Sequence, residues 1–381
     1  MKNLIKLFSI VFLFGAIFMS CEGPEGPAGT NGIDGIDGED GTNGTATCFV
    51  CHDGESIETI QAQFYTSQHA LGDIAVDYAG GRGSCAECHS HQGFVEWALT
   101  GDVAEDFSAP EAWKCSTCHT LHTEFDETDW AFRADDAITL SDGSTFDDGA
   151  SNLCANCHQA RRESDYYDSA TAAYTEDEEF TDDDYADMAA AAAAMEIAWG
   201  PAGEVKYDNG VDTIIITFDV PTTHVYISST HAGPHHGPQA NMFAGASAAG
   251  GITGSAFTAH AAGCTGCHMG SDANHSFMPQ EETCTACHTS GVPEDDMDAV
   301  YDRLVALAVE LEAVHAIHID SEWEDGDPLF GYVHPALASI PRAQFEAFWN
   351  FMYMVEDRSL SVHNPTFYSD MLDAAEAAFA K

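Results

Sequence analysis

The sequence predicts a mainly α-helical chain with little conventional hydrophobic core, one small β-hairpin and a helical C-terminal region. Three observations carry this prediction. Twelve of the 13 cysteines occur in six copies of the pattern C-x-x-C-H. Two long amphipathic stretches, 296–319 and 341–355, favour helices near the C-terminus. Residues 204–220 contain two β-rich runs around Asn209-Gly210, a dipeptide typical of hairpin turns.

The six C-x-x-C-H motifs are signatures of covalent haem attachment. Two thiols three positions apart can reach the two vinyl groups on one edge of a porphyrin, and the following histidine lies under the iron as proximal ligand. The predicted attachment residues are Cys48, Cys51, Cys85, Cys88, Cys115, Cys118, Cys154, Cys157, Cys264, Cys267, Cys284 and Cys287. The predicted proximal ligands are His52, His89, His119, His158, His268 and His288. One copy alone would also fit a redox dithiol or half a zinc site, but six copies favour six haems c. We expect a multihaem cytochrome c fold in which the haems form the core.

The N-terminus predicts export, which agrees with haem attachment outside the cytoplasm. Lys2 and Lys6 precede an apolar run at 7–19 that is too short to span a bilayer comfortably, as in a secretory signal. Residues 18–21 resemble a bacterial lipoprotein signal, with Cys21 as the lipidated first residue of the mature chain. The alternative is an ordinary signal followed by an incidental cysteine. We expect an outer-membrane lipoprotein, held by its lipid alone and facing the periplasm or the cell surface.

The residues after Cys21 and the overall charge give further expectations. Glycine occupies every third position from 23 to 44, a collagen-like pattern that predicts an extended stalk or, alternatively, a trimerisation segment. The formal net charge is −51, which excludes nucleic acid and anionic lipid surfaces as partners. Such a surface favours basic or cationic partners, although solubility alone would also explain it.

The chain divides into six segments by motif and composition. They are a signal at 1–20, a lipidated stalk at 21–46, a four-haem part at 47–165, an insertion at 166–222, a two-haem part at 223–290 and a helical tail at 291–381. Within the insertion, 176–184 is acidic and is expected to be a solvated loop, with a cation such as calcium as an alternative that nothing else supports. Residues 185–199 are alanine-rich and favour a helix. A last helix is expected to start after Asn364-Pro365.

Four stretches in the second half carry a family resemblance. They are 260–269 (HAAGCTGCHM), Asn274-His275, 284–288 (CTACH) and 362–365 (VHNP). Together they resemble the pentahaem cytochrome c nitrite reductases and their octahaem relatives. The resemblance implies four distal ligands: His260 for the haem on Cys284 and Cys287, His275 for that on Cys115 and Cys118, His363 for that on Cys264 and Cys267, and His69 for that on Cys154 and Cys157. His91 and His122, just after proximal histidines, are further candidates for ligating a neighbouring haem.

The sequence departs from this family at its catalytic centre. The family's reductases attach their catalytic haem through C-x-x-C-K, whereas His89 follows Cys88 here. The family's tyrosine-rich calcium-binding stretch is replaced by residues 159–162 (QARR). The haem architecture therefore carries over better than the nitrite chemistry.

Two functions follow, and whether the chain is an enzyme stays open at this stage. The first is an electron conduit that serves redox proteins or an extracellular acceptor, across or outside the outer membrane. The second is a reductase or oxidase of small nitrogen or sulfur compounds, such as nitrite or hydroxylamine. An enzyme needs an open iron, which the resemblance places on the Cys85 and Cys88 haem, with His236 and Arg82 as candidate catalytic groups. Alternatively, His231, His235 or His236 closes that sixth position.

Overall fold

A computed structural model describes most of the chain after the N-terminal segment. The described residues are 52, 54–123, 128–168, 179–180, 204–208, 213–217, 224–235, 237–257, 263–286, 288–319, 329, 333–336 and 338–380. They lie in one unit, Gly44–Lys381. The signal, Cys21, the glycine repeat and the first two attachment cysteines are outside the described residues.

The N-terminal part is built from short helices. They are α1 (Glu55–Phe64), α2 (Gln68–Leu71), α3 (Asp73–Ala75), a π-helical turn at Val76–Gly80, α4 (Gly83–His89), α5 (His91–Thr100), α6 (Cys115–Cys118), α7 (Ser151–Ala155) and a 3₁₀ turn at Ser164–Tyr167. The strands β1 (Ile138–Thr139) and β2 (Thr145–Phe146) form a small antiparallel ladder. Serine side chains start two of the helices, since Ser67 accepts from the Ala70 amide and Ser90 from the Gly93 amide.

The backbone of the insertion confirms the predicted hairpin. Strand β4 (Glu204–Asp208) pairs antiparallel with β5 (Thr213–Thr217), and Asp208 lies opposite Thr213 across the turn. A short strand, β3 (Glu179–Phe180), adds to β4 in parallel. The helix predicted at 185–199 and most of the acidic run fall outside the described residues.

The rest of the chain alternates short elements with three longer helices. In order they are β6 (His224–Ile227), α8 (Gln239–Ala244), α9 (Gly263–His268), α10 (Glu281–Thr285), α11 (Glu294–Ala313), β7 (Ile317–Ile319), β8 (Val333–Pro335), β9 (Ala338–Pro341), α12 (Arg342–Asp357) and α13 (Pro365–Ala377). Strand β6 pairs antiparallel with β9, and β7 with β8. The described residues are thus mainly helical with a few small sheets, as the sequence predicts.

The C-terminal helices differ in one boundary from the prediction. The stretch predicted as continuous over 296–319 ends as a helix at Ala313, because His315 adopts a left-handed conformation (φ 57°) and the β-branched residues that follow pair as β7. The other two helices are confirmed. In α13, Pro365 occupies the first turn, and the side chain of Asn364 caps the helix by accepting from the Phe367 amide.

The expectation of little conventional core is wrong for the C-terminal region. Helices α11, α12 and α13 pack with β6, β7 and β9 around a large apolar cluster. Its largest side chains are fully buried: Trp349, Tyr353, Tyr368, Phe345, Phe348, Phe351 and Phe367. Polar atoms inside are paired, since Trp349 donates to the Ser247 carbonyl at 3.1 Å and Tyr353 to the Ala246 carbonyl at 2.8 Å. Helix α12 is buried on more than one side, since its buried residues run almost without a break from Phe345 to Asp357. A helix with a single apolar face would alternate buried and exposed positions.

Among the described residues, no helix is both long enough and apolar enough to cross a membrane.

Candidate haem-binding sites

The attachment motifs surround a single large cavity of about 2470 Å³. Pockets for one small ligand occupy roughly 300–1,000 Å³, so this space exceeds what one ligand would need. The nine described attachment cysteines and all six proximal histidines line it. None of these nine thiols is in a disulfide. Within the described structure, the cysteines and histidines of the C-x-x-C-H motifs therefore lie around this cavity.

Short helices set the local geometry of the motifs. The two cysteines of the second motif lie in α4, those of the third in α6, and those of the fifth in α9. Residues three and four apart share one face of a helix, so in α4 and α9 both thiols and the following histidine project to the same side. In the third motif, His119 follows α6 with an extended backbone. One helical turn thereby presents two thiols and an imidazole to a single flat group, which is what covalent haem attachment requires.

Five proximal histidines each lie close to a second histidine that also lines the cavity. Five such ring pairs have closely similar centroid separations: His52 with His122 at 6.0 Å, His158 with His69 at 6.1 Å, His89 with His235 at 6.1 Å, His119 with His275 at 6.4 Å, and His268 with His363 at 6.3 Å. A metal–imidazole bond is about 2 Å long, and each ring centroid lies roughly 1 Å further back, so an ion between two opposed rings holds the centroids about 6 Å apart. The five pairs fit that spacing.

Hydrogen bonds orient these imidazoles through their Nδ1 atoms. The acceptors are the Trp130 carbonyl for His119 (2.6 Å), the Phe277 carbonyl for His268 (2.8 Å), the Ala273 carbonyl for His275 (2.6 Å), Gln239 Oε1 for His158 (3.1 Å) and Asp357 Oδ1 for His363 (2.6 Å). Carbonyl, amide and carboxylate oxygens only accept, so Nδ1 carries the hydrogen and the Nε2 lone pair is left for a metal. This is the pattern of metal-binding histidines, and it fits iron ligation.

The protein environment keeps most of these rings neutral, as metal binding requires. Burial, together with the nearby His158, lowers the pKa of His69 to about 4. Burial also lowers the pKa of His119, His158, His268 and His275. His363 is different: burial alone would lower its pKa, but the adjacent Asp357 carboxylate outweighs burial and raises it.

Three further candidates from the sequence have different surroundings. His91 Nδ1 pairs with the Thr117 hydroxyl at 2.7 Å, and His91 does not line the cavity. Arg82 is exposed; its guanidinium lies over the Tyr78 ring at 4.5 Å and donates to the Tyr78 carbonyl at 2.9 Å. Arg82 is therefore outside the cavity and not positioned as a catalytic group there. His236, the other proposed catalytic residue, lies outside the described residues, as do His260 and Cys287.

For other contributors, the sequence could not assign the partner. His235 faces His89, although the sequence left three histidines as equal candidates for that position. His122 faces His52, 70 positions earlier in the chain. Gln239 and Asp357 accept from the Nδ1 atoms of His158 and His363. Gln239 ends the stretch 235–239 (HHGPQ), which resembles the family's distal segment, whereas Asp357 belongs to no motif. The sequence gives one sign that Asp357 has a special role: it is a polar residue on a helix face that is otherwise buried.

Thiols of different motifs lie next to each other. Cys88 and Cys157 are within hydrogen-bonding distance, and so are Cys154 and Cys264. Cys118 is close enough to Cys154 for an electrostatic interaction, and Cys267 is similarly close to Cys284. The attachment sites of the second to sixth motifs are therefore contiguous through the cavity.

Comparisons with known proteins give a remote likeness only. No protein-family model and no curated protein matches the chain. Among solved structures, it is similar to the outer cell wall cytochrome OcwA, at 16% identity and a TM-score of 0.45, over 84% of this chain and 50% of that one. It is also similar to the undecaheme cytochrome from the S-layer of Carboxydothermus ferrireducens, at 15% identity and a TM-score of 0.42, over 82% of this chain and 40% of that one. The chain thus spans half the length of the first cytochrome and two fifths of the second.

Proposed function

We propose that the chain is a multihaem c-type cytochrome with six haems and that it works as an electron conduit. The main support is that five proximal histidines each lie opposite a second histidine, with ring centroids 6.0–6.4 Å apart. An arrangement in which both axial positions are supplied by the protein suits electron transfer, because it leaves no iron position for a substrate. The sixth proximal ligand, His288, lines the same cavity, and the family resemblance supplies His260 as its partner.

The distal ligands that we propose are the second members of these pairs. His69, His275 and His363 face the proximal histidines that the family resemblance implies for them. His122 serves the first motif, and His235 the second. His91 is left out of this set, because it does not line the cavity. The chain holds five of the ligand rings in place through Nδ1 hydrogen bonds. Burial lowers the pKa of His69, His119, His158, His268 and His275, which favours the neutral ring that a metal needs.

Haem bound at these sites supplies one-electron chemistry. The protein determines which sites are neighbours. The fourth motif has thiols beside three others: Cys157 adjoins Cys88, and Cys154 adjoins Cys264 and lies near Cys118. The last two motifs approach each other through Cys267 and Cys284. The fourth attachment site is therefore proposed as the junction through which electrons reach the others.

The alternative, a reductase of small nitrogen or sulfur compounds, has less support. It needs one open iron, and the family resemblance places that iron at the second motif. There His235 faces His89 at the same separation as in the other pairs, and Arg82 lies outside the cavity. The position that a substrate would use is thus opposed by a protein ligand. We propose the conduit on this ground.

Redox proteins or an extracellular acceptor are the partners that we propose. The lipoprotein-like N-terminus supports a place at the outer membrane, on the periplasmic or the cell-surface side. The net charge of −51 supports basic or cationic partners. Cys21→Ala should release the protein from the membrane fraction. A variant that stays membrane-bound at high salt would contradict the lipid anchor.

Magnetic resonance of the oxidised protein tests the proposed ligation. We expect six low-spin irons, six haems by intact mass and no response to nitrite or hydroxylamine. His235→Ala should convert one iron to high spin, whereas His231→Ala, a nearby exposed histidine, should change nothing. A high-spin iron in the natural protein that binds nitrite, with turnover lost in His236→Ala, would instead establish the enzyme.

A further inference from the structure

One ligand histidine is held by a buried carboxylate. Asp357, the last residue of α12, is 1% exposed, and its Oδ1 accepts from His363 Nδ1 at 2.6 Å. In the other four histidines whose Nδ1 bonds are described above, the acceptor is a neutral carbonyl or amide oxygen. Within the described residues, His363 therefore differs from these four ligands in the charge of its partner.

The carboxylate is also the anchor of the loop that delivers His363. Its Oδ2 accepts from the Ser359 hydroxyl and from the Ser359 amide at 3.3 Å. Between α12 and His363, Arg358, Leu360 and Ser361 all have positive φ values of 60°, 47° and 82°. Three left-handed non-glycine residues in four positions are costly unless the surroundings hold them. The three hydrogen bonds to Asp357 hold this loop, and an ionised carboxylate suits them because it only accepts.

The end of α12 also supports a second, neighbouring site. Gln239 donates to the backbone carbonyls of Glu356 and Asp357 at 3.3 Å each, while its Oε1 accepts from His158. The attachment thiols of the two motifs adjoin through Cys154 and Cys264. One helix end thus orients ligands of two adjacent sites, with a charged acceptor at one site and a neutral amide at the other.

The charge of the acceptor changes the electron affinity of an iron behind the imidazole. A carboxylate draws the Nδ1 hydrogen towards itself and makes the ring a stronger electron donor, which favours ferric over ferrous iron. A buried negative charge acts in the same direction, since the ferric state carries one more positive charge and screening inside the protein is weak. Reduction of an iron held there would take up one electron, and the hydrogen would stay between His363 Nδ1 and Asp357 Oδ1.

We propose that Asp357 is a positioning residue that lowers the reduction potential at the Cys264 and Cys267 site, while its neighbour at Cys154 and Cys157 lacks such a charge. This deepens the proposed function and rests on it. The consequence is a potential step between two adjacent sites, in which the electron is favoured on the fourth motif. The junction proposed above would then collect electrons from the C-terminal motifs.

Redox titration of Asp357→Asn, followed by visible and magnetic resonance spectra, tests this inference. Asparagine keeps an oxygen acceptor for His363 and removes the charge. We expect six haems and six low-spin irons, with one site whose reduced-to-oxidised ratio rises at least tenfold at a fixed potential, or about 59 mV for a one-electron couple. The resonance signal of that site should also change. The other five should move much less.

Two further variants make the result specific. Asp168→Asn removes a carboxylate that pairs with Arg342 at the other end of α12, about 22 Å away along the helix, and should leave all six potentials in place. Ser359→Ala removes a competing donor from Asp357 and also the acceptor of the His363 amide, while the bond between His363 Nδ1 and Asp357 is kept. The carboxylate should then hold the His363 hydrogen more strongly. The same site should then shift in the opposite direction and by less, which tests the idea even if Asp357→Asn does not accumulate.

The possible failures are distinguishable. Unchanged potentials in both Asp357→Asn and Ser359→Ala would overturn the inference, because the charge would then have no effect on the iron. Conversion of one site to high spin in Asp357→Asn, with no potential shift in Ser359→Ala, would overturn it too and leave Asp357 a purely structural role. Fewer than six low-spin irons in the unaltered protein would instead refute the proposed ligation, independently of Asp357.

Discussion

The C-terminal helices and the helices that carry the attachment motifs are stabilised in different ways. Most of α12 is buried against other side chains, with Trp349 at the centre of an apolar cluster. By contrast, α4 buries only Ala86, and α10 buries none of its residues. The motif helices are short and line a cavity of about 2470 Å³. Short helices are marginal without tertiary packing, so we expect the second region to depend on haem attached at its cysteines.

This difference indicates that the two regions of the chain have different structural roles. The C-terminal region supplies a rigid body of protein whose free energy comes from burial of apolar side chains. We expect the motif region to supply haem ligands and to depend on covalent attachment for its stability, as in proteins whose metal site folds with its metal. The two meet at the segment between α12 and α13, where His363 faces the cavity and Asp357 is anchored in the core.

The largest expected effect is loss of structure in one region only. Chain produced without haem attachment should lose amide protection in residues 54–123 and 263–286, because their helices have few buried apolar contacts. The amides of α12 and α13 should keep most of their protection. Hydrogen exchange followed by mass spectrometry compares the two preparations. Equal loss in both regions would show that the C-terminal core is not independent of the haems.

Trp349→Ala tests the comparison from the other side. Trp349 is fully buried and donates to the Ser247 carbonyl, so its truncation should cost about 3–5 kcal/mol of unfolding free energy. The thiols and ligands are untouched, so the number of attached haems should not change in protein that accumulates. Denaturant unfolding and a haem stain on denaturing gels measure the two quantities. Exposed Leu99→Ala is the control and should change stability little.

His363→Ala is expected to act at the meeting point of the two regions. One low-spin iron should become high-spin, and the other five should be nearly unchanged, since the variant removes one member of one ring pair. His315→Ala, an exposed histidine after α11, is the matched control and should leave all six spectra intact. An unchanged spin state in His363→Ala would remove this residue from the ligand set.

The smallest effect is expected at the surface of the C-terminal region. Arg303 bonds Asp373 at 2.6 Å and Glu376 at 2.8 Å, linking α11 to α13, but the partners are largely exposed. Exposed ion pairs contribute about 0.2–1 kcal/mol, so Arg303→Gln should lower the unfolding free energy by no more than about 1 kcal/mol. The effect should shrink at high salt. A loss of several kcal/mol would mean that α13 depends on this ion pair more than on its apolar face.

Local chemistry explains what the sequence by itself determined. Haem attachment needs two thiols and an imidazole at positions 1, 4 and 5 of one short segment, so all the information lies within five residues. The hairpin at 204–217 and the starts of α12 and α13 were predictable for the same reason, since turn residues, periodicity and caps act over a few positions. The family resemblance supplied three candidate distal histidines, and the ring of each lies 6.1–6.4 Å from the proximal ring that the resemblance pairs it with.

Only the tertiary structure decided the contacts between distant segments. Sequence spacing could not separate His122 from His91, or His235 from its two neighbours, because which ring crosses the cavity depends on how helices far apart in the chain pack. The C-terminal core and the end of α11 at Ala313 had the same origin, since long-range pairing of β7 with β8 outweighed a local helical pattern. Asp357 is the clearest example of a contact that the sequence could not predict. It meets His363 only because the six residues that follow it form a loop with three left-handed residues, and no local rule specifies the path of that loop.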